Sequence, residues 1–141
     1  MKNSLLSITR NIIPYVKELR EITGSVTASI LMQQLEFWFH KKGGDFYKFL
    51  EPSNHGDYRE GDSWCEELAF SKKEFRTAFE QIGIRYQSIK DFHRAEDKFV
   101  GKLYASYRDR TTYKTYYVRN HEKVDAVLNE LLTMSSSLRK E

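Results

Sequence analysis

Apolar and polar positions change their spacing several times along this chain, and each change predicts an element. Residues 26–41 place Ser29, Gln33, Glu36 and His40 at i, i+4, i+7 and i+11, one narrow polar stripe at helical spacing. Val26, Ile30, Leu31, Leu35, Phe37, Trp38 and Phe39 fill the rest of that helix. A helix with so little polar surface has to be covered on several sides, by its own domain or by a second chain. Ser25 can cap its start and Gly43-Gly44 stops it. Ahead of it, Pro14–Arg20 reads as a short helix, with Pro14 at a first position that needs no N–H. After it, Phe46–Phe49 reads as a short strand and Glu51–Gly61 as a polar loop.

The strongest local signal lies between Ser63 and Ile84. Ser63-Trp64-Cys65-Glu66 and Ser71-Lys72-Lys73-Glu74 both match the capping box, in which Ser accepts from the N3 amide and Glu reaches back to the Ser amide. Phe70 and Phe75 occupy the positions of a hydrophobic staple around the second box. Gly83 is expected to take the left-handed conformation after the helix, with Ile84 folding back on Phe79. Two such starts within eight residues predict a short helix, a tight turn and a second helix over about 63–83.

Ser88–Gly101 reads as a helical insert with Ile89, Phe92 and Phe99 as its apolar contacts. Lys102–Arg108 and Tyr113–Arg119 are rich in Tyr, Thr and Val, and pair as a hairpin over about 102–119, turning at Asp109–Thr112. Asn120 can cap a last helix over about 121–132, whose Val124, Val127, Leu128 and Leu131 form one apolar stripe. Ser135–Glu141 is expected to fray. The fold expected is mainly α with a small β component, an α+β class. It is a winged helix-turn-helix with extra N-terminal helices and a C-terminal helix, in a single domain over 1–141.

Composition narrows the setting. Among 141 residues, the 40% hydrophobic fraction and the nine Phe, nine Tyr and two Trp are those of a globular chain. No apolar run reaches the length of a membrane span, Met1-Lys2-Asn3 does not open a signal peptide, and the lone Cys65 excludes an internal disulfide. A cytoplasmic protein is expected. The net charge of +3 is unevenly placed: residues 71–120 hold 12 basic and 6 acidic side chains, net +6, and 61–70 hold three acids and no base. A basic stretch of this kind suits a face that meets a polyanion.

In a helix-turn-helix the second helix enters the major groove. Phe75, Ala78, Phe79 and Ile82 share its core face, which leaves Lys72, Lys73, Arg76 and Thr77 outward as donors for phosphates and base edges. The hairpin tip adds Arg108, Arg110 and Lys114, with Thr111 and Thr112 beside them. The plainer readings are a solvated basic helix face and an edge hairpin protected by charge. Tyr104, Tyr107, Tyr113, Tyr116 and Tyr117 suit the apolar side of a sheet better than a single-strand stacking platform. Asp91, His93, Glu96 and Asp97 are metal-ligand types without a metal-binding motif, and read as a charged helical surface. No catalytic set stands out, so the chain reads as a non-enzyme without cofactor or metal.

The sequence resembles the winged-helix domains of phage and mobile-element replication proteins, including the N-terminal domains of DnaD-type primosomal proteins. The residues that carry this are Gly24-Ser25-Val26-Thr27-Ala28, Leu31-Met32-Gln33-Gln34-Leu35 with Phe37-Trp38, then Trp64, Glu67-Leu68, Ser71-Lys72-Lys73-Glu74-Phe75 and Thr115-Tyr116-Tyr117. The resemblance implies double-stranded DNA binding, self-association through the N-terminal elements as a homodimer, and a role beside replication proteins or in transcription control. It departs from that pattern in the long Arg85–Gly101 segment and in having no second domain after the hairpin. The alternative expectation is a protein-interaction module on the same fold, favoured by Glu66, Glu67, Glu74 and Glu80 near the reading helix.

Overall fold

Ser25 starts the longest buried helix. Its hydroxyl accepts from the Ala28 amide at 3.1 Å, and α2 (Val26–Lys42) runs until Gly43, at φ +76, returns its N–H to the Phe39 carbonyl. The structure, a computed structural model, describes Leu5 and residues 12–140, with side chains described as far as Met134. The stretch expected as one helix over 14–20 is instead a 3-10 turn, Lys17–Leu19, leading into α1 (Arg20–Thr23). Ala28, Leu31, Met32 and Leu35 of α2 are fully buried. Ser29, expected on the polar stripe, is buried as well: its hydroxyl donates to Ser25 O at 2.8 Å and lies 2.7 Å from that of Thr23. Local hydrogen bonds satisfy it, so its polarity does not turn it outward.

The remaining elements are β1 (Phe46–Tyr47), α3 (Trp64–Leu68), α4 (Lys72–Ile82), β2 (Gly83–Tyr86), α5 (Ile89–Arg94), β3 (Tyr104–Asp109), β4 (Lys114–Arg119) and α6 (His121–Lys140). The class is α+β. One four-stranded sheet has the order β1-β4-β3-β2, antiparallel except for the β2–β3 pair, which is parallel. The register aligns Phe46, Tyr117, Ser106 and Arg85 across the sheet, so these four share a face. At the inner end that face meets α2, where Tyr104 stacks on Phe39 at 5.8 Å. Phe46, Trp64, Phe75, Phe79 and Tyr117 form the aromatic centre of the core.

Strand β2 corrects an expectation. Gly83 is extended, with φ −149, and opens β2; it has no left-handed φ, and Ile84 pairs with Ala105 of β3. Its amide still donates to Phe79 O, ending α4. Glycine is needed there for space, since a Cβ would stand 2.6 Å from the Phe79 ring. The alternating Gly83-Ile84-Arg85-Tyr86 then satisfies its backbone along β3.

The insert is helical only over Ile89–Arg94. Beyond it, Lys98 Nζ donates to the carbonyls of Phe92, His93 and Ala95, and the Asp97 carboxylate accepts from the amides of Phe99 and Val100. These bonds hold a turn in place of further helix. The insert covers the second face of the sheet: Phe92 lies 5.0 Å from Tyr107, which stacks on Tyr116 at 5.5 Å. Asn120 caps α6 through the Lys123 amide, and α6 extends beyond the expected end near 132, to Lys140. Glu141 lies outside the described residues. Among the described residues no helix is long and apolar enough to cross a membrane.

Candidate nucleic-acid interface

Both capping boxes form. Ser63 Oγ accepts from the Glu66 amide at 3.2 Å and Ser71 Oγ from the Glu74 amide at 3.1 Å, with each glutamate returning to its serine amide. Ala69, at φ +55, turns the chain between α3 and α4, which are separated by three residues. Trp64 stacks on Phe75 at 5.5 Å, and Phe75, Ala78, Phe79 and Ile82 are buried as the apolar spacing requires. Burial of that face sets the opposite one outward.

On the outward face Lys72, Lys73, Arg76 and Thr77 are all exposed. Lys72 pairs with Glu51 at 3.5 Å; Lys73, Arg76 and Thr77 have no ion-pair or hydrogen-bond partner among the described residues. The two lysines stand three and four residues ahead of Arg76, on its side of the helix. Gln81, also on α4, is held by Ser25 Oγ at 2.6 Å, which ties the end of α4 to the start of α2.

Beside α4 lies an open cleft of about 1070 Å³. Arg76 lines it from the helix, Arg85 and Arg108 from the sheet, and Arg110 from the hairpin turn, with the exposed Tyr113 in the same lining. Arg85 and Arg108 share a face because the register aligns Arg85 with Ser106, two residues before Arg108. Arg108 donates to Thr115 Oγ1 at 3.4 Å, and Arg110 Nε donates to Gln87 O at 3.2 Å, so both heads are oriented. The single carboxylate in the lining is Glu80, 3.8 Å from Arg85. Lys48 reaches the inner end but is buried and paired with Asp62 at 3.0 Å and Glu67 at 3.3 Å.

The structure thus brings Arg76, Arg108 and Arg110 into one lining, while Lys72, Lys73 and Thr77 are exposed on α4 outside it. It does not bring Lys114. That side chain pairs with Asp57 at 2.8 Å and covers the Tyr47 ring, outside the cleft. Sequence reasoning missed Arg85. Its place is set by the parallel pairing of β2 with β3, and the four-residue run 83–86 carries no sign of that partner.

Burial pushes the Cys65 thiol up, with the Glu51 charge adding to it, and burial does the same to the Tyr117 hydroxyl. Both therefore stay protonated near neutrality. Among the described residues no group of three or more His, Cys, Asp or Glu side chains is placed to hold a metal ion. Asp97, from the acidic cluster, is already committed to its turn.

No family model matches this chain, and neither a curated protein nor a solved structure does.

Proposed function

We propose that this chain binds duplex DNA as a winged helix-turn-helix, with α3 and α4 as the motif and the β3–β4 hairpin as the wing. The observation that carries the reading is the arginine-lined cleft continuous with the basic outer face of α4. Arg76 is the residue for a base-edge contact, bidentate to guanine in the major groove. Lys72, Lys73 and Thr77 are placed for phosphates beside it, and Arg108 and Arg110 for the flanking backbone or minor groove. The setting, replication or transcription control in a phage or mobile element alongside replication proteins, rests on the resemblance alone.

The rival reading, a protein-interaction module, leaned on acidic side chains near α4. Three of them are engaged by partners within the chain. Glu66 and Glu74 close the capping boxes, and Glu67 accepts from Gln34 and Trp38 and pairs with Lys48. Only Glu80 faces the cleft, so the local charge remains suited to a polyanion.

Self-association through α2 is part of the same proposal, now on a narrower base. Phe39 is buried by Phe46 and Tyr104 of its own chain, and Trp38 donates to Glu67; Phe37 alone of the three is exposed, at 45%. Light scattering separates a dimer from a 16.8 kDa monomer.

The DNA reading is tested by a salt titration of binding to mixed-sequence duplex. Neutralising ~4–6 phosphates gives a log–log slope near −4 to −5. No binding at low salt, or unchanged affinity after combined Lys72→Ala and Arg76→Ala substitution, refutes it.

A further inference from the structure

We infer that the cleft between α4 and the hairpin seats an unpaired strand running off a duplex, with one base stacked on Tyr113. This rests on the DNA-binding reading and adds a preferred DNA form to it. An open cleft of about 1070 Å³ has room for a few nucleotide units of one strand beside a duplex held on the outer face of α4. Arg76, Arg85, Arg108 and Arg110 all line that space, which suits a backbone passing through it.

Tyr113 supplies the other half of such a site. The remaining tyrosines of the hairpin are engaged: Tyr104 and Tyr117 are in the core, and Tyr107 and Tyr116 stack on each other. Tyr86, also in the lining, gives its hydroxyl to Lys98 O at 2.7 Å. Tyr113 differs from all of these. It lines the cleft, is 64% exposed, and occupies a left-handed conformation with φ +58, where glycine or asparagine is the ordinary choice. An aromatic there adds nothing to the core. An exposed ring in the lining of a cleft that also holds four arginines is the pairing of stacking platform and cationic groove by which single strands are held.

Fluorescence anisotropy is measured on a blunt duplex and on the same duplex with a short unpaired tail of either polarity. Wild type, Tyr113→Ala, Tyr113→Phe and Lys72→Ala are compared at one salt concentration. Tailed DNA of one polarity is expected to bind about tenfold tighter than blunt, the effect of stacking one base. Tyr113→Ala removes that advantage and leaves blunt-duplex affinity unchanged, while Tyr113→Phe retains it. Equal affinity for tailed and blunt DNA overturns the inference, as does a Tyr113→Ala protein that keeps the advantage or loses affinity for both forms alike. If blunt duplex binds and Lys72→Ala weakens it while the tail adds nothing, the inference falls alone. If no DNA binds, both readings fall.

Discussion

Lys114 and Asp57 form an ion pair, Nζ to Oδ2 at 2.8 Å, that fastens β4 to the loop ahead of α3. The ammonium also stands 4.2 Å over the Tyr47 ring, and the Lys114 side chain is only 15% exposed. A basic residue beside a hairpin turn is readily taken for a DNA contact, but this one already has its counter-ion. Lys114→Ala is therefore expected to leave duplex affinity and its salt slope unchanged. Arg76→Ala is expected to remove ~1–3 kcal/mol of base discrimination. Parallel titrations of the two variants check this; a loss of salt slope in Lys114→Ala would put that residue on the DNA.

The same pair gives the protein a pH dependence. Its hydrogen bond with Lys114 holds the Asp57 carboxyl below the usual range, and bonds from Tyr58 and Ser63 do so for Glu66. Carboxyls lowered in the folded state stabilise it above their unfolded values, about 3.9 for Asp and 4.3 for Glu. That stability is lost as pH falls through the folded values. Asp45, raised by burial, works in the opposite direction. Melting temperature should thus be level near neutrality and drop below about pH 4, where these groups titrate. Asp57→Asn combined with Glu66→Gln should flatten the acid limb, and an unaltered limb would assign acid sensitivity to other groups.

What was legible in the sequence was whatever is written locally. Ser63, Glu66, Ser71 and Glu74 announced both helix starts because a capping box is closed by residues three apart. Arg76 was placed outward because Phe75, Ala78, Phe79 and Ile82 mark the opposite face. Arg85 and the parallel β2–β3 pair were not legible, because that pairing depends on Tyr104–Tyr107, some twenty residues later in the chain. Ser29 misled for a related reason: its partners, Thr23 and Ser25, lie across a bend that spacing does not reveal.

Gly83 tests whether space or dihedral decides the junction of α4 with β2. Its φ of −149 is open to any residue, so backbone strain predicts no penalty for Gly83→Ala. The Phe79 ring, 2.6 Å from the added Cβ and itself fully buried, predicts a loss of ~1–3 kcal/mol as the core is overpacked. Chemical denaturation measures it. A double-mutant cycle with Phe79→Leu should show coupling, and additive effects would exonerate the ring.

Arg119 joins the start of α6 to the middle of α2. Its Nε and Nη2 donate to Glu36 at 2.9–3.1 Å, Nη2 also reaches Asp125 at 2.8 Å, and Tyr104 Oη donates to Glu36 at 2.8 Å. The guanidinium is 12% exposed and Glu36 25%, so solvent screens the group only in part. Removing one member leaves a largely buried carboxylate unpaired, which in a fully buried site costs ~3–5 kcal/mol. Partial exposure brings the expected loss for Arg119→Ala to ~2–3 kcal/mol. Arg119→Lys should recover little, because an ammonium cannot reproduce the fork on Glu36. Arg119 pairs with Tyr104 at the end of the hairpin remote from its turn. DNA affinity measured well below the melting temperature should therefore match wild type in both variants, although Arg119→Ala loses a cation. Weakened binding by a folded Arg119→Lys protein would show that the network positions the cleft as well as stabilising the fold.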